Sequence, residues 1–132
     1  MRFLLAGLLV ALGASAKADP VDADAAAELR LFLSTTAADY RVLDFRVLDR
    51  EVVGPVRRYI RYRARIEFPY ALSPEGRALL AHENVEVVQG KINELSSAKL
   101  VVELHREAKF VHTQHGWFVQ VGTTRYPLDH RM

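Results

Sequence analysis

Apolar and polar residues alternate from Val56 to Phe68, V-R-R-Y-I-R-Y-R-A-R-I-E-F. Val56, Ile60, Tyr62, Ala64, Ile66 and Phe68 share one parity, and Arg57, Tyr59, Arg61, Arg63, Arg65 and Glu67 share the other. Successive side chains of a strand point to opposite faces, so a period of two over this length predicts a strand with one buried and one wet face. The wet face carries Arg57, Arg61, Arg63 and Arg65 in a row, while Arg58 falls out of phase beside a turn. A second alternation covers Lys99 to Thr113. There Leu100, Val102, Leu104, Ala108 and Phe110 face one way, with Arg106 as the exception, and Lys99, Glu103, His105, Glu107 and Lys109 face the other.

The remaining pattern places further elements around these two strands. Asp19-Pro20 reads as a helix start, a capping acid followed by proline at the first helical position, with Asp22 and Asp24 complementing the helix dipole. Leu29, Phe32, Leu33 and Thr36 or Ala37 form a narrow apolar stripe, and the helix is expected to end between Thr36 and Asp39. Its stripe is too thin for burial on all sides, so the helix should lie across one face of a sheet.

From Tyr40 to Val53 a strand is expected with Leu43, Phe45 and Val47 on one parity. Leu48 and Val52 fall on the other, which predicts a bulge near Leu48-Asp49, because one extra residue flips the facing of everything after it. Gly54-Pro55 should turn this strand into the arginine-bearing one as a hairpin. Ser73-Pro74-Glu75 opens a short helix through about His82, and Val85 to Leu95 reads as a third strand with a bend at Gly90. Ser96-Ser97 turns the chain, His115-Gly116 is a two-residue hairpin turn into Trp117–Val121, and the last ten residues, with Pro127, are expected along the surface.

One helix, long antiparallel strands and a short helix between hairpins make an α+β domain of two layers. The N-terminal helix is expected to pack on a curved antiparallel sheet of four to five strands. In element order and size the chain resembles the cystatin-like and nuclear-transport-factor-2-like group, where a helix rests in a curved sheet. The resemblance is architectural and covers most of the chain from Asp19. Members of that group include inhibitors, ligand-binding pockets and isomerases, so the resemblance implies a fold and transfers no site.

The first eighteen residues stand outside this domain. Met1-Arg2 is a positive start, Phe3 to Leu12 is apolar, and Ala14-Ser15-Ala16 and Ala16-Lys17-Ala18 fit cleavage sites, the layout of a secretory signal peptide. The apolar run is about half of what a bilayer span needs, so no transmembrane anchor is expected. Cleavage after Ala18 would leave one domain over 19–132, and the Ala/Arg/Val-rich composition suggests a periplasmic protein, with secretion as the other destination. Without a cysteine there is neither lipid attachment nor a disulfide, and the core alone must hold the fold. The 18 basic and 16 acidic residues become balanced once Arg2 and Lys17 leave. A neutral domain outside the cytoplasm argues against nucleic-acid binding.

Candidate chemistry gathers on the polar faces. Arg57, Arg61, Arg63 and Arg65 could form an anion platform, since guanidinium forks grip phosphate or carboxylate bidentately and Tyr59 could stack on a ligand ring. The competing reading is a solvated face neutralised by Glu103 and Glu107 of the second alternating strand. Residues 30–65 hold nine basic and four acidic groups and residues 66–107 four and seven, which favours that pairing. His105 between Glu103 and Glu107 could act as a general acid or base, although no nucleophile pattern or phosphate loop accompanies it. His82, His105, His112, His115 and His130 lack metal-ligand spacing, so neither metal nor cofactor is expected. The expected function is a non-catalytic exported binding domain, engaging a protein partner through its sheet or a small ligand between helix and sheet. A small cupped-sheet enzyme using His105 and an anion-binding module built on the arginine row are the alternatives. A sheet edge or face is also open to pairing with a second copy.

Overall fold

The computed structural model describes residues 19–69, 72–92 and 99–128. Two helices and six strands follow in the order α1 (Asp22–Thr36), β1 (Arg41–Gly54), β2 (Arg57–Phe68), α2 (Pro74–Ala81), β3 (Asn84–Gln89), β4 (Leu100–Thr113), β5 (Gly116–Val121) and β6 (Thr124–Pro127). The strands form one open antiparallel sheet in the order β1-β2-β4-β5-β6, with β3 also pairing β4. The domain is thus α+β, as the alternation predicts. No helix among the described residues is long and apolar enough to cross a membrane.

The alternating residues face as their parity requires. Ile60, Tyr62, Ala64, Ile66 and Phe68 of β2 and Leu100, Val102, Leu104, Ala108 and Phe110 of β4 are buried. They share one core with Ala25, Leu29, Phe32 and Leu33 of α1 and with Leu80, Trp117, Val119 and Val121. Burying side chains of this size stabilises by roughly 1.5–3 kcal/mol each, which lets a chain without disulfides hold together. Val56, assigned to the buried parity, instead sits in the hairpin turn and is exposed.

Strand β1 keeps its facing only by inserting extra residues. Its register against β2 skips at Leu43, Leu48 and Val53, one residue in every five. The skip at Leu48 is the bulge expected from the phase shift, and the other two were hidden by apolar residues on both parities. Asp44, Arg46, Asp49 and Glu51 thereby share the polar face with Arg57–Arg65, and Phe45 and Val47 turn toward the core, where Phe45 stacks against Tyr62 at 5.1 Å between ring centroids.

Several elements lie elsewhere than their local patterns predict. Asp19 does not cap α1: Val21 occupies the cap, its N–H donates to Asp24 Oδ2 at 2.7 Å, and Asp19 instead accepts from Arg58 Nε at 3.0 Å. Asp24, inside the first turn, thus satisfies the N–H of the cap residue itself. The β4–β5 loop is Gln114-His115, with Gly116 opening β5 at φ 101°, so the turn lies one residue earlier than expected. The tail does run along the surface as far as Pro127, but Thr124–Pro127 forms a sixth strand there, one more than expected, and Leu128 is buried. The third strand is shorter than expected and ends at Gln89, where Gly90 bends the chain with φ 87°. Leu95, the Ser96-Ser97 turn and the signal segment lie outside the described residues.

The two helices meet end to end. Ser73 caps α2, its Oγ accepting from Gly76 N–H at 3.0 Å. A side chain at Gly76 would place its Cβ 2.1 Å from the Thr36 carbonyl oxygen, so only glycine permits this approach.

Candidate functional site

The antiparallel register sets each expected site residue beside a definite neighbour. Arg61 lies opposite Glu107, and Arg65 opposite Glu103. Both pairs close: Arg61 Nε reaches Glu107 Oε2 and Arg65 Nη2 reaches Glu103 Oε1, each at 3.2 Å. Arg61 also holds Glu51 at 2.9 Å and pairs with Asp49, both supplied by β1 through its bulge. The Arg65 hydrogen bond holds the Glu103 carboxyl below the usual carboxylate range, with the Arg63 and Arg65 charges adding to it. At the end of this ladder Glu67 accepts from Arg41 at 2.8 Å and meets Lys99 at 3.1 Å, which lowers its pKa by the same means.

Arg63 and Arg57 behave differently. Arg63 lies between Arg46 on β1 and His105 on β4, and forms no ion pair among the described residues. Arg57 is exposed at the start of β2 and likewise has none. Tyr59 has the Lys109 ammonium 5.9 Å from its ring centroid, so the face imagined for a ligand ring already faces a cation. His105 Nε2 lies 3.4 Å from Glu103 Oε2. The expected residues therefore share one sheet face, but Arg61, Arg65, Glu103 and Glu107 occupy one another.

A second constellation lies where the sheet is incomplete. Strand β2 covers one edge of β4 from Leu100 to Val111, so β3 and β5 must share the other. The β3 ladder ends at Asn84 opposite His105, and the β5 ladder at Gln120 opposite Lys109. Among the described residues, no strand lies across from 106–108 of β4 on that edge. The gap opens into a cleft of ≈ 400 Å³. His82, Glu83, His105, Glu107, Lys109 and Gln120 surround it, and Glu28 and Arg106 lie at its floor.

Glu28 and Arg106 are the charged pair that sequence reasoning missed. Arg106 sits on the apolar parity of β4 with 10% of its side chain exposed, and Glu28 on the apolar stripe of α1 is fully buried. Arg106 Nη2 donates to Glu28 Oε2 at 2.5 Å, Nε donates to Oε1 at 3.3 Å, and Nη1 donates to Glu83. The guanidinium carbon stands 3.8 Å from the Phe32 ring centroid. Tyr62 closes the network by donating its hydroxyl to Glu28 Oε1 at 2.5 Å. Burial, then the Glu28 charge, pushes the Tyr62 pKa upward, so the phenol stays protonated. Burial alone would lower Arg106, but the hydrogen bond and charge of Glu28 outweigh it and hold the guanidinium charged. The clue was present as an arginine breaking an apolar parity and a glutamate one turn before Phe32 on the helix stripe. Their partnership spans 78 residues and no local pattern encodes it.

Among the described residues the cleft lining contains imidazole, carboxylate, guanidinium, ammonium and amide groups, without a hydroxyl or thiol. Among the described residues no three histidine, aspartate or glutamate side chains gather to hold a metal ion. His112, on the opposite face from His105, packs against Trp117 at 5.0 Å between ring centroids. No protein-family model, curated protein or solved structure matches this chain.

Proposed function

We propose that the protein is an exported, non-catalytic binding domain that holds a small polar ligand in the cleft between β3 and β5. The observation carrying this reading is the break in the sheet ladder opposite 106–108, with a fixed charged network behind it. Ligand sites are concave and place a few polar groups with precision. Here Arg106 is held by two carboxylates and a ring face, so it presents its remaining surface without reorganising. Lys109, Gln120, Glu83 and Glu107 all line it and together offer donors and acceptors. A ligand carrying both, such as an amino acid or a polyhydroxylated molecule, matches that lining.

Two other readings draw on the same side chains. An enzyme using His105 and Glu107 would share the cleft, with Glu103 outside its lining, but among the described residues that lining offers no hydroxyl or thiol nucleophile. An anion module on the arginine row would rest on Arg57 and Arg63, since Arg61 and Arg65 are already engaged by carboxylates. A fold like that of the cystatin-like and nuclear-transport-factor-2-like group is likewise a proposal, resting only on a helix and an antiparallel sheet in that order.

Amide chemical shifts followed during titration with amino acids, short dicarboxylates, monosaccharides and inorganic phosphate test the reading. The expected result is movement of Glu83, Arg106, Gln120 and Gly122 with one organic class, lost in Lys109→Ala and Gln120→Ala. Phosphate-induced movement confined to Arg57 and Arg63 would instead favour the anion module. A panel that leaves the cleft amides unmoved rejects it. Export is tested by N-terminal sequencing of the protein recovered outside the cytoplasm, with Asp19 expected first.

A further inference from the structure

We infer that β1 is built to pair with the β1 strand of a second copy, antiparallel and centred on Phe45. The inference is independent of the cleft, which lies on the far side of β4. Strand β1 ends the sheet, and among the described residues its outer edge pairs with no strand. Leu43, Leu48 and Val53 are each 43–52% exposed there. Unpaired edges recruit other strands, and bulges usually discourage this by twisting the edge away from a straight partner. A second copy is not a straight partner, because it carries the same bulges.

The charges select the register. A twofold axis between antiparallel strands must set one residue opposite its own copy, since only those points are symmetric in the hydrogen-bond pattern. With Phe45 at the axis, Asp44 meets Arg46 of the second copy, and Arg41 meets its Asp49, each pair occurring twice. Moving the axis one residue either way sets Asp44 against Asp44 or Arg46 against Arg46. Facing agrees as well: Arg41, Asp44, Arg46 and Asp49 all share the polar side, and Phe45 turns to the core side. Leu43 and Leu48 are the extra residues flanking the regular stretch Asp44–Val47. In this pairing the Leu43 bulge of one strand falls beside the Leu48 bulge of the other, so the two insertions cancel and Arg41 still reaches Asp49.

Within one chain Arg41 holds Glu67 and Asp49 pairs with Arg61, so the charges left for a second copy are the central two. Asp44 and Arg46 are exposed and form no ion pair among the described residues, and Arg46 lies opposite Arg63. Like charges set across a ladder repel, and opposite ones attract. A second copy would bring an aspartate to each Arg46.

Sedimentation of the purified protein over a dilution series, with Asp44→Arg, Arg46→Asp and their mixture, tests the inference. The wild type should dimerise reversibly, and each variant should be monomeric with an unchanged circular dichroism spectrum. Mixing the two variants should restore a dimer, because arginines at 44 and 46 then face aspartates at 46 and 44. The chain has no cysteine, so Phe45→Cys provides a second check: oxidation should link 45 to 45 between copies. A monomeric wild type overturns the inference. So does a dimer that both charge variants leave intact, or a mixture that stays monomeric when each variant alone is folded.

Discussion

Arg106 Nη2 lies 2.5 Å from Glu28 Oε2, so a cation on the apolar side of β4 meets an anion on the apolar side of α1. Neither has enough water around it to stand alone. Removing one member of a buried pair leaves the other charge uncompensated, a loss of about 3–5 kcal/mol. Replacing both with apolar groups of similar volume is often neutral or stabilising. Arg106→Met should therefore lower stability in urea unfolding by several times more than the double variant Glu28→Leu/Arg106→Met. A double variant as unstable as the single would show that Arg106 acts through packing on Phe32 alone.

The arginine row should respond unevenly to substitution. Arg61 touches Asp49, Glu51 and Glu107, whereas Arg63 forms no ion pair among the described residues. Arg61→Gln should destabilise by about 1 kcal/mol, the upper end for an exposed pair. Arg63→Gln should stay within about 0.5 kcal/mol of wild type, as surface changes usually do. Arg61→Glu should be worse than Arg61→Gln, with Glu107→Arg recovering part of the loss. Thermal unfolding at low and high salt checks this, since screening should shrink the Arg61 effect.

Acid should weaken the sheet through Glu67 and Glu103. Both carboxyls are held below their ordinary 4.5, Glu67 chiefly by the Arg41 hydrogen bond and Glu103 chiefly by Arg65. A pKa depressed in the folded state means that the unfolded chain binds protons first as pH falls. The stabilisation is complete above the unfolded value and disappears as pH drops through the folded one. Melting temperature should fall below about pH 4.5 in the wild type, and the fall should be shallower in Glu67→Gln and Glu103→Gln. Equal slopes in all three proteins would place the acid sensitivity elsewhere.

How much of this was legible in the sequence follows from the range of each interaction. The two alternating strands and the pairing of Glu103 and Glu107 with the arginine row were readable, because parity and charge order lie along the chain. The bulge at Leu48 was visible as a phase change, but those at Leu43 and Val53 were not, since apolar residues there fit either facing. Strand β6 was missed because four residues carrying Pro127 show too little alternation to count as a strand. The cleft was invisible for a different reason. It exists because β3 and β5 stop short of each other along β4, a register fact that only the assembled sheet supplies.

That shared edge also constrains the order of assembly. Strand β5 meets β4 through a two-residue loop, whereas β2 must find it across α2, β3 and the chain between, pairing Phe68 with Leu100 and Arg57 with Val111. Neither end-to-end neighbour can dock before β4 is extended, so closing the long β2–β4 loop becomes the slow event. Truncations at Ala64 or Ile66 should then retard refolding, whereas Tyr126→Ala on β6 should mainly hasten unfolding, a contrast that stopped-flow rates would reveal.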